Sequence, residues 1–511
     1  MFFLFSSLWF LRTTKALLFW FYLWQLKEYH IGRFLAHFQT AKGRKLFFNP
    51  LFVFKVFLLI TFFPFPVFLL FALFLIYSLE AAKALLGALR KRLRKPVLTE
   101  KAFLLVFIGF LVEFGFLFLL FNYSPTILLT LFCLLVFDVL VPLIVSLIVL
   151  FLQPFTVFFR NRIIKRAKAK REGFKNLLVI GITGSYGKTS TKDFLADILS
   201  ERFKVLKTKE HQNSEIGISQ CILNELKPEH EIFVCEMGAY NVGGVKFLAD
   251  IVKPKIGILT GINEQHMATF GSQENIIRAK YELIESLPKD GIAFFNGKNK
   301  YCRELFERAS IKKRLYGEEA ELAGTENIWG AMAVARELGM AEEKITRVVE
   351  KIKNKTGGFR LKKGVNGLKI IDATYSANPD GVLVHLEYLK TLRQAQGKLV
   401  IIMPCLIELG KASGEVHQRI GKKIAEVCDL AIITTQECFN CIKKEVGGKA
   451  LFIENSKLIF EKIGDARRDV CDRRTVRIHE KIGDHSRKKH NRHREDDRDH
   501  AGLIHAKRQM R

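Results

Sequence analysis

The stretch Gly181-Ile-Thr-Gly-Ser-Tyr-Gly-Lys-Thr-Ser-Thr191 decides the fold. It follows the apolar run Leu177-Leu-Val-Ile180 and leads into an amphipathic segment, Asp193 to Leu199. A buried strand therefore runs into a glycine-rich turn that opens a helix. In that setting backbone N–H groups converge on a phosphate with the helix dipole behind them. Thr183, Gly184, Ser185, Gly187 and Ser190 are the candidate cradle, Lys188 reaches the β/γ-phosphates, and the Thr189 hydroxyl holds Mg²⁺. Isolated glycine-lysine matches arise by chance, but here the strand and the helix are both in place. The spacing is off the strict pattern, since Ile182 stands where the first glycine belongs.

Upstream, the hydrophobic content, 49% over the whole chain, is highest in the first 152 residues, which hold most of the 45 phenylalanines. Leu51–Leu79, Ala102–Phe121 and Pro125–Leu152 are long apolar runs that read as membrane-spanning helices. Pro64 and Pro66 make the first of them a kinked span or a re-entrant hairpin. Met1–Trp24 is interrupted by Arg12 and Lys15 and does not read as a cleavable signal. The loop Glu80–Lys101 and the stretch 153–175 are rich in Lys and Arg, which puts both on the cytoplasmic side. The reading is a multi-pass membrane protein with its remaining domains in the cytoplasm. The formal charge of +29 is concentrated in these loops and in the C-terminal tail. That distribution suits lipid headgroups rather than nucleic acid. Nine scattered cysteines fit a reducing compartment, and Cys438-x-x-Cys441 has no second pair at zinc spacing.

From Asn176 onward, short apolar runs alternate with amphipathic stretches. Strands are expected at Leu177–Ile182, Ile232–Glu236, Ile256–Thr260 and Ile292–Asn296, with helices such as Ile216–Leu226 and Glu274–Leu287 between them. This is the signature of an α/β domain with a mostly parallel sheet, over 176–355. A smaller Rossmann-like α/β domain follows over 356–463. It has a hairpin turning at Asn366-Gly367, strands at Lys398–Met403, Leu430–Thr434 and Ala450–Ile453, and a helix at Glu415–Val427. Residues 464–511 carry no apolar period and read as a disordered basic tail, or as the product of a shifted reading frame.

Five segments carry a resemblance to a known family. They are Thr183-Gly-x-x-Gly-Lys-Thr189, Asn213-Ser-Glu-Ile-Gly217, Val234-Cys-Glu-Met-Gly-Ala239, His266-Met-Ala-Thr-Phe-Gly-Ser272 and Ala279-Lys-Tyr-Glu282. In order and spacing they resemble the Mur ligases, ATP-dependent amide-forming enzymes of peptidoglycan precursor synthesis, and most of all the branch that adds D-Ala-D-Ala to UDP-MurNAc-tripeptide. The resemblance implies that Lys188, Glu236, His266, Lys280 and Arg360 carry the chemistry. It also implies Mg²⁺ at Thr189, Glu236, His266 and a carbamylated Lys280, and nucleotide contacts from Asn296, Asn327 and Arg360. Asn213, Ser214, Glu215, Tyr375 and Asn378 would meet the substrate. The chemistry is coherent without the name. A carboxylate must be activated before an amine can displace its oxygen, and transfer of the ATP γ-phosphoryl group to it gives an acyl phosphate. Taken alone, Glu236 is an ordinary strand-end charge, His266 a solvated imidazole and Lys280 one residue of a helix face.

The pattern also departs from the family. Ala373 replaces the second aspartate of an Asp-Asp pair, Ser376 replaces an asparagine, and Glu326-Asn327-x-x-Gly330 lacks the histidine and second asparagine of a helix start. Membrane helices stand where the family has a uridine-binding domain. Two other readings therefore stay open. One is a Mur-type ligase with a lipid-linked or polyamino-acid acceptor. The other is a non-catalytic ATP-binding membrane scaffold for other cell-wall enzymes.

Overall fold

The computed structural model describes residues 2–38, 41–62, 66–124, 126–210, 212–320, 325–356, 361–363, 369–372, 378–392, 398–455, 458–459 and 473–477. Arg360, Tyr375, Ala373, Ser376 and Pro64 lie outside these residues, as does most of 464–511. The chain divides into one unit up to Phe158 and another over Phe159–Glu480.

The first unit is helical: α1 (Phe2–Leu26), α2 (Ile31–His37), α3 (Ala41–Phe47), α4 (Pro50–Ile60), α5 (Pro66–Leu89), α6 (Glu100–Tyr123) and α7 (Ile127–Phe151). Three stretches, Leu70–Leu89, Glu100–Tyr123 and Ile127–Glu172, are long and apolar enough to cross a membrane, by length and composition. The expected run Leu51–Leu79 is divided between α4 and α5, and Pro66 opens α5. Asn49 caps α4 by accepting from the Phe52 N–H at 2.9 Å. The first helix is continuous despite its two basic residues, because Arg12 turns inward and pairs with Glu80 at 3.0 Å and Asp138 at 3.1 Å. Trp9, Phe21, Trp24, Leu58, Phe62 and Tyr77 are the largest fully buried apolar side chains of this first unit.

The basic α8 (Gln153–Glu172) runs into the second unit, whose first domain is a six-stranded parallel sheet. In chain order its elements are β1 (Leu178–Thr183), α9 (Lys188–Leu199), β2 (Val205–Lys207), α10 (Glu215–Glu225), β3 (Ile232–Glu236), α11 (Gly244–Val252), β4 (Ile256–Leu259), α12 (Met267–Phe270), α13 (Gln273–Glu285), β5 (Ile292–Asn296), α14 (Lys300–Arg308), β6 (Lys312–Tyr316), α15 (Glu326–Glu337) and α16 (Glu342–Thr356). The strand order is β2-β3-β1-β4-β5-β6. Both faces are covered, so the central strands are apolar throughout rather than alternating. Ile180, Ile182, Val234, Ile258 and Phe294 join one buried cluster; Val179, Phe233, Cys235, Leu259 and Phe295 join the other. The four expected strands form at or within one residue of their expected bounds. β2 and β6 were not expected: β2 has three residues, and the Lys-Lys-Arg of β6 hides an edge strand.

The smaller domain contains β7 (Leu361–Lys363), β8 (Lys369–Asp372), α17 (Pro379–Leu392), β9 (Lys398–Met403), α18 (Ser413–Val427), β10 (Leu430–Ile433), α19 (Phe439–Val446), β11 (Ala450–Phe452) and β12 (Arg473–Arg477). Its order is β11-β10-β9-β12-β8-β7, parallel except for the β7–β8 hairpin. One expectation is corrected. A strand lies in the segment read as a patternless tail, because β12 inserts between β8 and β9 and pairs with both. Its Arg-Arg-Thr-Val-Arg sequence offers only one aliphatic residue, so composition concealed it.

Phe294 is 1% exposed at the middle of β5. Phe294→Ala removes its ring from that cluster and should cost about 3–5 kcal/mol. Hydrogen exchange of the β4 and β5 amides should accelerate correspondingly, and unchanged protection would contradict this packing.

Candidate active site

The parallel order sets the carboxyl ends of β1, β3, β4 and β5 side by side, with the turn of chain direction at β1, where open α/β sheets bind ligands. The glycine-rich turn leaves β1 there. Gly187 has φ +78°, a left-handed conformation that side chains resist, and Asn327 of α15 packs where a Cβ would lie. Gly184 is similarly confined by Thr260. The turn is fixed from β4's side: the Ser185 N–H donates to the Gly261 carbonyl at 2.7 Å, and the Asn263 N–H donates to Ser185 Oγ at 3.2 Å. Lys188 folds back over its own loop, Nζ donating to the Gly184 carbonyl at 2.7 Å. Burial lowers the pKa of its ammonium, with Glu236 opposing. Thr183 Oγ1 donates to the Met237 carbonyl at 3.0 Å, and Ser190 is exposed.

Glu236, at the end of β3 and 4% exposed, is the hub. Its Oε2 accepts from Thr189 Oγ1 at 3.0 Å and Lys192 Nζ at 3.4 Å, and its Oε1 accepts from Asn213 Nδ2 at 3.0 Å. Burial pushes the Glu236 carboxyl upward, but Lys188, Asn213, Lys192 and Thr189 together hold it below the ordinary value. It is an anion. The oxygens of Thr189 and Glu236 are hard donors of the kind Mg²⁺ takes, so these two residues fit that ion. Ser214 caps α10 by accepting from the Gly217 N–H, and Glu215 pairs with Arg160 at 3.5 Å.

His266 and Lys280 come to the same end of the sheet. His266 Nδ1 meets Glu408 Oε2 at 2.6 Å, and its ring stands edge-on to Tyr240. Both His266 (φ +67°) and Glu408 (φ +64°) hold left-handed backbone, strain of the kind that collects at working sites. Burial keeps the imidazole below its usual pKa; Glu408 opposes this, and Lys280 and Lys188 reinforce it. Lys280 is 2% exposed, with its Nζ at 3.5 Å from the Ala239 carbonyl and 5.5 Å from the Phe270 ring centroid. Burial first, then Lys188, pulls its pKa down to about 7.

The smaller domain contributes directly. Asn263 Nδ2 donates to Asp380 Oδ2 at 2.6 Å and Asn378 Oδ1 at 3.2 Å, while Arg419 grips Glu264 with both terminal nitrogens at 3.0 and 3.2 Å. Asn296 uses its side chain within the fold, donating to the Thr260 carbonyl at 2.7 Å and accepting from the Lys298 N–H at 2.9 Å. Asn327 Oδ1 accepts from Thr191 Oγ1 at 3.2 Å, bracing the phosphate loop. Gly330, at the position of the family's second asparagine, lies against the Tyr316 ring, 2.8 Å from where a Cβ would sit. The ring excludes a side chain there.

Sequence reading missed Lys192, although it lies four residues after Lys188 on one helix face. It also missed Glu408, Asn263 and Asp380, which only the tertiary fold brings in. Glu282, quoted within its motif but given no role, accepts from the Gly243 and Lys246 N–H groups at 2.5 and 3.0 Å and so pins the start of α11. Cys438 does have partners that local spacing hides, namely Cys405 and His417, whose ligand atoms all lie within 4.8 Å. Both nitrogens of His417 are engaged by backbone, however: Nε2 by the Leu406 N–H at 2.8 Å and Nδ1 by the Ser413 carbonyl at 2.6 Å.

Lys280 supplies a pH test. Its folded pKa, about 7, lies below the ordinary lysine value of 10.5. Between those values only the unfolded chain holds the proton, so stability rises with pH through that window, and below pH 7 the full cost of burying the cation is present. In bicarbonate-free buffer, Lys280→Met should therefore raise the thermal midpoint more at pH 6.5 than at pH 9. A gain independent of pH would contradict the burial.

Comparisons with known proteins fall on the same residues. Residues 182–354 match the Mur ligase middle domain, and 359–476 match the Mur ligase glutamate ligase domain. The UDP-N-acetylmuramoyl-tripeptide–D-alanyl-D-alanine ligases of Synechocystis sp. and Bacillus subtilis are 31% and 28% identical to 48% of this chain. The matches span 59% and 60% of those relatives' length. MurF from Acinetobacter baumannii superposes with a TM-score of 0.56 at 25% identity, over 62% of this chain and 76% of that one. MurF from Thermotoga maritima, solved in complex with ADP, gives 0.55 at 24% identity over 63% and 81%. By its middle and C-terminal domains, together covering more than half its length, the chain belongs to the Mur ligase family.

Proposed function

We propose that the chain is an ATP-dependent ligase that adds D-Ala-D-Ala to UDP-MurNAc-tripeptide through an acyl phosphate. The observation that carries this is the phosphate loop, Glu236, His266 and Lys280 converging at the ends of adjacent parallel strands, in a chain similar to ligases of that name. In this reading the loop N–H groups and Lys188 hold the ATP phosphates and neutralise charge as the γ-phosphoryl group passes to the substrate carboxylate. Thr189 and Glu236 would hold Mg²⁺, which supplies charge neutralisation when bound. Lys192 keeps the buried Glu236 ionised and in place. The C-terminal domain closes the site through the Asn263–Asp380 and His266–Glu408 contacts, and the family resemblance gives Arg360, outside the described residues, a phosphate contact. Asn213 also donates to Glu236 at 3.0 Å, and Asn213, Ser214 and Glu215 are the substrate candidates of the middle domain. Tyr375, outside the described residues, and Asn378, whose Oδ1 accepts from the Asn263 side chain at 3.2 Å, remain the substrate candidates of the smaller domain.

Carbamylation of Lys280 is part of the proposal. A neutral amine adds to CO₂, giving N–COO⁻ and releasing one proton, and a lysine pushed to about pH 7 is largely neutral above it. The product is an anion beside His266, suited to a second Mg²⁺, where the ammonium is not. Residues 1–158 anchor the ligase to the bacterial cytoplasmic membrane with the catalytic domains in the cytoplasm, a reading supported by the three long apolar stretches and the basic α8. The scaffold reading is favoured by one observation: the Tyr316 ring stands where a Cβ on Gly330 would lie, so the side chain of the family's asparagine has no place there.

Detergent-purified protein given ATP, Mg²⁺, muramoyl-tripeptide and D-Ala-D-Ala should release phosphate, and Lys188→Ala should lower the rate by roughly a hundredfold or more. Equal rates would sink the mechanism, and nucleotide binding without phosphate release would select the scaffold. Stripping CO₂ from the buffer should slow the wild type, and bicarbonate should restore it. A rate indifferent to bicarbonate would remove the carbamate.

A further inference from the structure

The first unit contains a feature the ligase chemistry does not use. A cavity of about 390 Å³ lies among α1, α4, α5, α7 and the loop after α5. Its floor is a four-charge cluster contributed by four helices. Lys55 pairs with Asp138 at 2.6 Å and with Glu80, and Arg12 pairs with the same two carboxylates. Asp138 and Lys55 are nearly inaccessible, with side-chain exposures of 0% and 2%. These two cations and two anions cancel. Three further cations line the cavity, Lys15, Arg92 and Arg94, and among the described residues none has an acidic partner within salt-bridge distance. The walls are apolar, from Phe19, Trp20, Leu51, Phe52, Leu93 and Val141.

We infer that this cavity binds the phosphate head of an anionic membrane lipid. Three uncancelled cations call for an anion. The aromatic and aliphatic walls call for a ligand whose charged end continues into hydrocarbon. An inorganic anion would leave the walls wet, and a neutral lipid would leave the cations unmatched. Basic pockets between membrane helices, flanked by a Lys/Arg-rich loop, are suited to phosphate headgroups. Here Arg92 and Arg94 belong to such a loop, Arg90-Lys-Arg-Leu-Arg-Lys95. The charge cluster beneath holds the four helices in register, because in an apolar surround each of its members is costly without the others. The inference rests on the membrane reading of residues 1–158 and not on the ligase reading.

The test uses the full chain in nanodiscs of phosphatidylcholine doped with dioleoyl phosphatidic acid, with retained lipid counted by native mass spectrometry. Arg92→Gln/Arg94→Gln changes exposed residues, so the fold is not at risk, and it should weaken phosphatidic acid retention by roughly tenfold or more. Lys15→Gln should weaken it in the same direction. The charge-matched control Lys91→Gln/Lys95→Gln lies outside the cavity lining and should change retention by less than about twofold. Inorganic phosphate should not displace the lipid. Equal losses in control and cavity variants would overturn the inference in favour of diffuse surface charge, and displacement by phosphate would reduce the cavity to a plain anion site. Chain recovered in solution without detergent would refute the membrane reading itself. Chain that needs detergent but retains no phosphatidic acid would refute only the cavity.

Discussion

The Glu236 carboxylate is the constraint on which the site depends. One buried anion ties together the first turn of α9 through Thr189, the body of that helix through Lys192, and the segment before α10 through Asn213. Its own N–H donates to Thr208 Oγ1 at 3.1 Å, which locks the end of β3. A carboxylate this buried stays charged only because cations and N–H or O–H donors outweigh its desolvation. The converse also holds. Without Glu236, Lys192, itself 1% exposed, would keep only the partly exposed Asp193 at 3.8 Å, and a buried cation so weakly compensated costs far more than an absent surface pair.

The parallel sheet makes this arrangement possible. Every strand of the middle domain delivers its carboxyl end to the same edge, so a phosphate loop after β1, an acid after β3 and the Thr260–Asn263 turn after β4 meet without long loops. Large side chains on both faces hold the strands in register. Among the described residues, the smaller domain reaches that edge through short polar contacts. Asn263–Asp380, Glu264–Arg419 and His266–Glu408 are contacts that can be made and broken, which suits a site that must admit and release substrates.

The middle domain was legible because its signals are local. An apolar run, a glycine turn and an amphipathic helix are adjacent in sequence, and Glu236 sits at the end of a run that reads as a buried strand. What failed was whatever depends on distant partners. The bonds of Asn296 to Thr260 and Lys298, and the packing of Asn327 against Gly187, carry no local signature. Glu408 lies 142 residues from His266 and has no motif of its own that points there. β12 was invisible because its pairing, not its composition, makes it a strand. Arg12 seemed to interrupt a helix until Glu80 and Asp138 supplied its charge partners.

The central claim is that the site moves a phosphoryl group onto a substrate carboxylate beside Glu236. It is tested most directly by labelling the tripeptide's acceptor carboxylate with ¹⁸O and following one turnover with ATP and D-Ala-D-Ala. The account predicts that one ¹⁸O appears in the inorganic phosphate released, because the carboxylate oxygen leaves with the phosphoryl group when the amine attacks. Phosphate released without ¹⁸O would contradict it.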